Sequence, residues 1–126
     1  MELNHVGITN TSEDQAMRFY RDFLGLEKTR EIILAPELSA QLFSLPQEIK
    51  VLVFERPGLK VEVFISDLLQ HANPNFTHFG IVVDNLAELM EKAQKSRVDL
   101  IVGKYKEKTV YFIKDFSGNL IEIKQR

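Results

Sequence analysis

Hydrophobic and polar positions follow the same order at two places along the chain. Residues 3–8 (LNHVGI) and residues 76–81 (FTHFGI) both read apolar, polar, histidine, apolar, glycine, isoleucine. Self-similarity of this kind is the signature of a structural repeat. The pattern predicts two copies of one unit, repeat 1 over about residues 1–66 and repeat 2 over about residues 76–126.

A helical pattern follows each of these segments. Residues 12–24 and residues 86–93 place apolar side chains at the i, i+3, i+4, i+7 spacing of an amphipathic helix. The apolar positions are Ala16, Phe19, Tyr20 and Phe23 in the first and Leu86, Leu89, Met90 and Ala93 in the second. Ser12 is a suitable N-cap for the first helix, and Asp84 or Asn85 for the second.

Short segments rich in β-branched residues make up the rest of each repeat. Each repeat ends in a predicted strand with a central glutamate, residues 59–65 (LKVEVFI) and residues 119–124 (NLIEIK). The other predicted strands are residues 27–34 and 49–55 in the first repeat and residues 98–102 and 109–114 in the second. The order is β-α-β-β-β twice, which predicts an α+β fold with a single domain over residues 1–126.

Two segments lie outside the repeat. Residues 36–45 (PELSAQLFSL) begin with the proline that is favoured at a first helical position, and they predict a short extra helix. The apolar residues on one face of this helix are Leu38, Leu42 and Leu45. We expect it to cover either a pocket edge or a partner surface. Residues 67–75 form a polar link between the repeats, in which His71 is expected to be a surface residue.

Histidine and glutamate occupy matching places in the two repeats. Because successive strand residues point to opposite faces of a sheet, His5 and Glu62 lie opposite their apolar neighbours, and so do His78 and Glu122. The apolar residues should pack under the helices, and the polar residues should line the concave face. If a pseudo-twofold axis relates the repeats, two imidazoles and two carboxylates converge.

Such a cluster suits a borderline divalent ion such as Zn, Ni, Co, Mn or Fe. We therefore predict His5, Glu62, His78 and Glu122 as the ligands of a divalent metal ion. An ion of this kind polarises a carbonyl or hydroxyl oxygen of a small-molecule substrate. A glutamate that loosens from the ion could move a proton from the adjacent carbon, so Glu62 and Glu122 are also the catalytic candidates.

Composition excludes several classes of protein. The 126-residue chain has 16 Lys and Arg against 18 Asp and Glu, and its net charge of -2 argues against nucleic-acid binding. It has no cysteine, which excludes disulfides and cysteine-ligated zinc. No apolar run reaches the roughly 18–20 residues of a membrane helix, and the N-terminus shows no signal-peptide pattern. We expect a soluble, cytoplasmic protein with no membrane partner.

Five segments resemble the vicinal oxygen chelate superfamily, the glyoxalase and bleomycin-resistance fold. In chain order they are HVGI, FYRDFLGLE, VEVF, THFGIVVDNL and DFSGNLIEI, and they extend over essentially the whole chain. In that superfamily, paired βαβββ modules build an open barrel around one divalent metal ion. The resemblance implies the same open, barrel-like sheet here, with His5, Glu62, His78 and Glu122 at the ligand positions. It also implies a homodimer.

Departures from the family patterns distinguish its subfamilies. The chain resembles glyoxalase I in its carboxylate at Glu62, but Thr9 stands where glyoxalase I usually has an arginine for the glutathione carboxylate, so glutathione use does not follow. Methylmalonyl-CoA epimerase is similar around HVGI but commonly has glutamine at the Glu62 position. Fosfomycin-resistance proteins and extradiol dioxygenases use three ligands, and bleomycin-resistance proteins often have none.

Three functions remain open at this point, and the two carboxylates favour the first of them. It is a metal-dependent isomerase, epimerase or lyase that acts by proton transfer next to a metal-bound substrate oxygen. The second is an Fe(II) extradiol-type dioxygenase with His5, His78 and Glu122 as a facial triad. The third is a non-catalytic small-molecule binding or resistance protein.

Two further sets of residues suggest a pocket. The basic stretch over residues 104–108 (KYKEK) is either a solvated hairpin or an anion clamp at the pocket rim. Tyr111 and Phe112 lie on opposite strand faces, so one of them should line the barrel. An apolar pocket wall is expected from Phe43, Phe54 and Phe64.

Overall fold

The computed structural model describes residues 1–68 and 75–126. The chain divides into two compact units, Met1–Leu69 and Gln70–Arg126. Over the described residues it has eight strands and three α-helices, and each unit holds one four-stranded sheet that does not close on itself. The predicted α+β class is therefore confirmed.

The first unit follows the predicted β-α-β-β-β order with one additional helix. Its elements are β1 (Val6–Asn10), α1 (Glu13–Ala16), a π-helical segment (Met17–Phe23), β2 (Glu27–Leu34), α2 (Pro36–Phe43), β3 (Ile49–Arg56) and β4 (Leu59–Ile65). The strand order is β1-β4-β3-β2. β1 pairs parallel with β4, and the other neighbours are antiparallel, so the first and last strands of the unit lie side by side.

The second unit repeats this topology without the additional helix. Its elements are β5 (His78–Val83), α3 (Leu86–Lys95), β6 (Leu100–Tyr105), β7 (Lys108–Lys114) and β8 (Leu120–Gln125). The strand order is β5-β8-β7-β6, and again the first and last strands pair in parallel.

The predicted helix over residues 12–24 is present, but most of it is π-helical. Ser12 caps it as predicted, since its Oγ accepts a hydrogen bond of 3.2 Å from the Gln15 N–H. Farther along, the Leu24 N–H donates to the Phe19 carbonyl five residues earlier, at 2.8 Å, which is the π-helical pattern.

Aromatic rings from this helix form the core of the first unit. Phe19, Tyr20 and Phe23 are buried, and the Tyr20 ring lies 5.7 Å from the ring of Phe54 on β3. The prediction that Phe54 lines a pocket wall is wrong. Phe54 pairs with Val61 across the sheet, and this pair belongs to the face that packs against the helix.

Asn85, rather than Asp84, caps the helix of the second unit. Its Oδ1 accepts a hydrogen bond of 3.0 Å from the Glu88 N–H. The buried apolar residues of this unit are Ala93, Val98, Ile113, Ile121 and Ile123. They come from the helix, the connection after it and the two central strands, so the helix covers one face of the sheet.

Strand boundaries differ from the predictions at several places. β1 begins one residue after His5, although the predicted strand included this residue, whereas β5 begins with His78. β6 starts two residues later than predicted, because Val98 still belongs to the turn after α3. Its N–H donates to the Ala93 carbonyl at 2.8 Å. β2 and β4 have the predicted boundaries.

The extra helix is α2, and it turns Ser39 rather than its leucines toward the rest of the unit. Leu38 and Leu42 are exposed, whereas Ser39 is fully buried. Most of the predicted link over residues 67–75, including His71, lies outside the described residues. No helix in the described part of the chain is long and apolar enough to cross a membrane.

Candidate functional site

In the first unit, the parallel pairing of β1 with β4 brings His5 to Glu62. Gly7 is the register partner of Glu62. Val61 and Val63 on either side of Glu62 are fully buried, so the carboxylate projects from the opposite face. His5 Nε2 lies 3.3 Å from Glu62 Oε2, with 40% and 20% of the two side chains exposed.

The second unit builds the same arrangement with His78 and Glu122. Gly80 is the register partner of Glu122, which stands between the buried residues Ile121 and Ile123. His78 Nε2 lies 3.7 Å from Glu122 Oε2, and the two side chains are 38% and 23% exposed. Each unit thus places one imidazole and one carboxylate on the sheet face opposite its core. Both side chains are partly exposed and accessible to a ligand.

Within each unit the structure brings together two of the four predicted ligands. His5 lies with Glu62, and His78 with Glu122. Across residues 1–68 and 75–126, no group of three or more His, Asp or Glu side chains is placed to hold a metal ion.

The hydrogen bonds of the two histidines decide which ring nitrogen faces the carboxylate. His78 Nδ1 lies 2.8 Å from the Phe76 carbonyl oxygen, which only accepts hydrogen bonds, so Nδ1 carries a proton. His5 Nδ1 has the same distance to Asn4 Oδ1. In the neutral imidazole, Nε2 is then a bare acceptor that faces a second acceptor, the carboxylate. A cation between them, either a proton or a metal ion, removes the repulsion.

These distances fit a shared divalent ion. Two ligand atoms about 2.1 Å from one ion are roughly 3.0 to 3.4 Å apart at angles of 90 to 110°. The separation of 3.3 Å between His5 and Glu62 falls in this range. The 3.7 Å between His78 and Glu122 corresponds to a wider angle of about 120°. Metal-binding histidines also commonly donate their second ring N–H to a carbonyl oxygen, as His78 does.

Residues on the same strand faces surround each pair, and the sequence had not singled out all of them. Lys124 Nζ lies 3.4 Å from Glu122 Oε1. The ring of Phe112 lies 5.1 Å from that of His78, edge to face, so Phe112 rather than Tyr111 shares the face of Glu122. Lys124 could have been found from the sequence, because it stands two residues after Glu122 and therefore on the same face.

An apolar cavity of about 370 Å³ opens beside the first pair, between α2 and the sheet. Its wall includes Phe43 and Phe64, as predicted, with ring centroids 5.3 Å apart. Gly7, the partner of Glu62, also lines it, and so does Ser39 of α2. Ser39 was not identified from the sequence, since an isolated serine in a helix has no distinguishing pattern.

The basic stretch forms the hairpin between β6 and β7. Tyr105 is exposed, and Lys106 Nζ lies 5.3 Å from the Tyr105 ring centroid. The hairpin borders a wide depression of about 810 Å³ that also reaches Glu122 and Lys124. Both interpretations of the basic stretch stay predictions, since the depression is broad and carries charges of both signs.

Known structures share this fold. A glyoxalase family protein from Enterococcus faecalis matches with a TM-score of 0.75 and 23% identity over 97% of this chain and 95% of that one. The fosfomycin resistance protein FosX from Listeria monocytogenes matches with a TM-score of 0.73 and 15% identity over 100% and 93%. The trypanothione-dependent glyoxalase I of Leishmania major matches with a TM-score of 0.69 and 18% identity over 96% and 84%.

Sequence comparison gives the family. No curated protein sequence matches the chain. The profile of the Glyoxalase/Bleomycin resistance protein/Dioxygenase superfamily matches residues 2–123, which is nearly the whole chain. The chain therefore belongs to the Glyoxalase/Bleomycin resistance protein/Dioxygenase superfamily.

Proposed function

We propose that the protein is a divalent-metal-dependent enzyme that moves a proton at a carbon next to a carbonyl or hydroxyl oxygen of a small substrate. The reaction class is isomerisation, epimerisation or a lyase reaction. Its metal ligands would be His5, Glu62, His78 and Glu122. The ion, when bound, would polarise the substrate oxygen. The observation that carries the proposal is that each unit brings a histidine Nε2 close to a glutamate carboxylate oxygen, at 3.3 Å in the first unit and 3.7 Å in the second.

Glu62 is the carboxylate better placed to move the proton. Gly7, its register partner, and Phe64, two residues farther along the same strand, both line the apolar cavity. A substrate carbon held there would lie beside the strand segment that carries Glu62. Glu122 is the second candidate, and the ammonium group of Lys124 restrains its Oε1. We assign the proton transfer to Glu62 and a holding role to Glu122.

Metal analysis and isotope exchange test the proposal together. We expect the purified protein to carry a divalent ion that a chelator removes. After addition of Zn, Ni, Co, Mn or Fe(II), the protein should exchange deuterium at the α-carbon of a 2-ketoacid, a hemithioacetal or an acyl-CoA, as followed by proton NMR. A protein that holds a stoichiometric metal ion but exchanges none of these substrates would contradict the proposed reaction.

Substitution of the proposed base separates this enzyme from a dioxygenase. Glu62→Gln should lower the exchange rate by about 100-fold or more, because general base catalysis contributes roughly that much. Glu91→Gln, an exposed residue on α3, is the matched control and should leave the rate unchanged. Oxygen uptake with catechols and Fe(II), with Glu62→Gln as active as the unchanged protein, would favour the three-ligand dioxygenase instead.

The membership of the superfamily also supports the remaining proposals. We propose a homodimer of single-domain chains, each with repeats over about residues 1–66 and 76–126, and a cytoplasmic location. Light scattering in solution should give the mass of two chains, and cell fractionation should recover the protein in the cytoplasmic fraction. A monomer, or recovery in a membrane fraction, would contradict the corresponding proposal.

A further inference from the structure

The cavity of the first unit has an apolar wall with few polar groups. Its volume of about 370 Å³ lies at the lower end of the range for small-molecule sites. The residues that line it are mostly aliphatic or aromatic, among them Ile8, Phe43, Leu45, Ile49 and Phe64. An engineered cavity of about 150 Å³ admits benzene, so a cavity more than twice that size has room for a two-ring aromatic group or a chain of similar length.

One polar group in this wall lacks a partner. Ser39 is fully buried, and among the described residues no donor or acceptor lies within hydrogen-bond distance of its Oγ. Its backbone is satisfied, because the Ser39 N–H donates to the Ala35 carbonyl at 3.0 Å and its own carbonyl accepts from the Leu45 N–H at 3.3 Å. A buried hydroxyl without a hydrogen bond is destabilising, and native proteins seldom leave one unpaired.

The cavity also adjoins the first histidine–glutamate pair. Gly7 contributes to its wall and is the register partner of Glu62. A Cβ added at Gly7 would lie 3.4 Å from Cε2 of Phe64, which is an ordinary contact distance, so the phenyl ring bounds the cavity next to Gly7. A molecule that fills the cavity therefore contacts the register partner of Glu62.

We propose that this cavity binds the apolar substituent of the substrate, and that Ser39 Oγ forms a hydrogen bond with an oxygen carried on that substituent. The substituent is an aromatic or aliphatic group of about ten carbon atoms or fewer. This inference rests on the proposed function only in calling the bound molecule a substrate. The binding itself requires neither a metal ion nor turnover.

Two matched probes test the hydrogen bond and the cavity separately. We would titrate 2-naphthol and naphthalene into the full chain in the presence of a chelator and follow methyl groups by NMR. Both probes should shift the methyl signals of Ile8, Leu45 and Ile49, which line the cavity, while Ile121 in the core of the second unit stays unchanged. Unshifted cavity methyls at saturating probe would overturn the proposal.

Substitutions at Ser39 give the second readout. Ser39→Ala should weaken 2-naphthol binding about fivefold, the typical worth of one hydrogen bond, and leave naphthalene binding within about twofold. Ser39→Leu, which fills the cavity, should abolish binding of both probes. Ser96→Ala in the second unit is the matched control and should change neither. Equal loss of both probes in Ser39→Ala would show that the hydroxyl does not bind the oxygen.

The folding of the variants has its own measurement. Ser39→Ala removes an unpaired hydroxyl, so its urea midpoint should equal or exceed that of the unchanged protein. A lower midpoint would mean that Ser39 already has a partner in the folded protein and would contradict the proposal. Because the titration is run without metal, a protein that binds 2-naphthol but no metal ion refutes the proposed function alone. One that binds metal and exchanges substrate but ignores the probes refutes this inference alone.

Discussion

The two units bring a histidine to a glutamate by the same strand pairing, but they surround that pair with different side chains. Two residues after the glutamate, the first unit has Phe64 and the second has Lys124. The Phe64 ring packs against Phe43, whereas Lys124 forms an ion pair with Glu122. One unit therefore offers an apolar wall beside its carboxylate, and the other offers a positive charge.

The two units also differ in the connection between their second and third strands. In the first unit this connection contains α2, which brings Ser39 and Phe43 to the cavity. In the second unit it is a turn of two residues, Lys106 and Glu107, with Lys106 in the left-handed conformation at φ 57°. The shared strand framework places the imidazole and the carboxylate, while the connection and the strand face around them distinguish one unit from the other.

The largest expected effect is on the free energy of unfolding, and it concerns the hydrophobic cores of the two units. Phe54 and Ile113 are equivalent residues, since each is fully buried on a central strand and pairs with the residue before the glutamate. Phe54→Ala should lower the free energy of unfolding by about 3–5 kcal/mol and Ile113→Ala by about 2–5 kcal/mol, because both leave cavities. Urea unfolding measures both. A loss under about 1 kcal/mol for either would show that its unit adds little to the cooperative core.

The equivalence of the two pairs can be tested at their histidines. His5→Gln and His78→Gln should each weaken metal binding by at least the roughly 10–100-fold that loss of a supporting residue costs at metal sites. Titration calorimetry with Zn or Ni gives the affinities. Loss of affinity in one variant alone would mean that the two pairs, although built alike, do not both bind the ion.

The helix caps test the local stability of the two helices. Ser12→Ala and Asn85→Ala each remove a side-chain acceptor from a first-turn N–H and should cost about 1 kcal/mol. The urea midpoint measures this loss, with Ser12→Asn and Asn85→Ser as controls that keep a capping oxygen. If Ser12→Ala has no effect, the π-helical segment rather than the cap holds the first helix in place.

The smallest expected effect is on the pH dependence of stability, and it concerns the edge strands of the two sheets. A hydrogen bond from Lys28, supported by the charges of Lys28 and Lys50, holds the pKa of the Glu31 carboxyl below its ordinary value. A carboxyl of this kind adds stability above its pKa in the unfolded chain, and that stability is lost as pH falls through its pKa in the folded protein.

Glu31→Gln should therefore make the stability slightly less sensitive to acid, and the effect is small because the group is exposed. Urea midpoints between about pH 3 and 6 measure it, since unperturbed glutamate titrates near pH 4.3. The equivalent edge strand of the second unit, β6, has no acidic residue, so Lys104→Gln should leave the acid dependence unchanged. A steeper acid dependence in Glu31→Gln would contradict the pKa direction.

Much of the fold follows from local pattern. The strands β2 and β4 have the predicted boundaries, and the caps at Ser12 and Asn85 lie where the sequence allowed them. The face of Glu62 was predictable because its two strand neighbours are valines that must be buried. Such features depend on residues close in sequence, and a period of two or of about 3.6 residues is enough to show them.

Features that depend on distant residues were not predictable in this way. The π-helical segment after Ala16 buries the aromatic residues whose spacing had predicted an α-helix. The apolar spacing therefore does not distinguish a π-helix from an α-helix. Whether Phe54 faces the helix or a pocket depends on its register with β4. The burial of Ser39 depends on how α2 packs, and the spacing of its leucines does not show which face of the helix meets the rest of the unit.

The side-by-side arrangement of the first and last strands of each unit has a consequence for the order in which the protein folds. Each histidine lies at or directly before the start of the first strand of its unit, and its glutamate lies on the last strand. The separation is 57 residues from His5 to Glu62 and 44 residues from His78 to Glu122. Contacts between residues so far apart in sequence form late, because a long loop must close first. A unit that lacks its final strand lacks its glutamate as well, so the imidazole–carboxylate pair exists only after the first and last strands have paired.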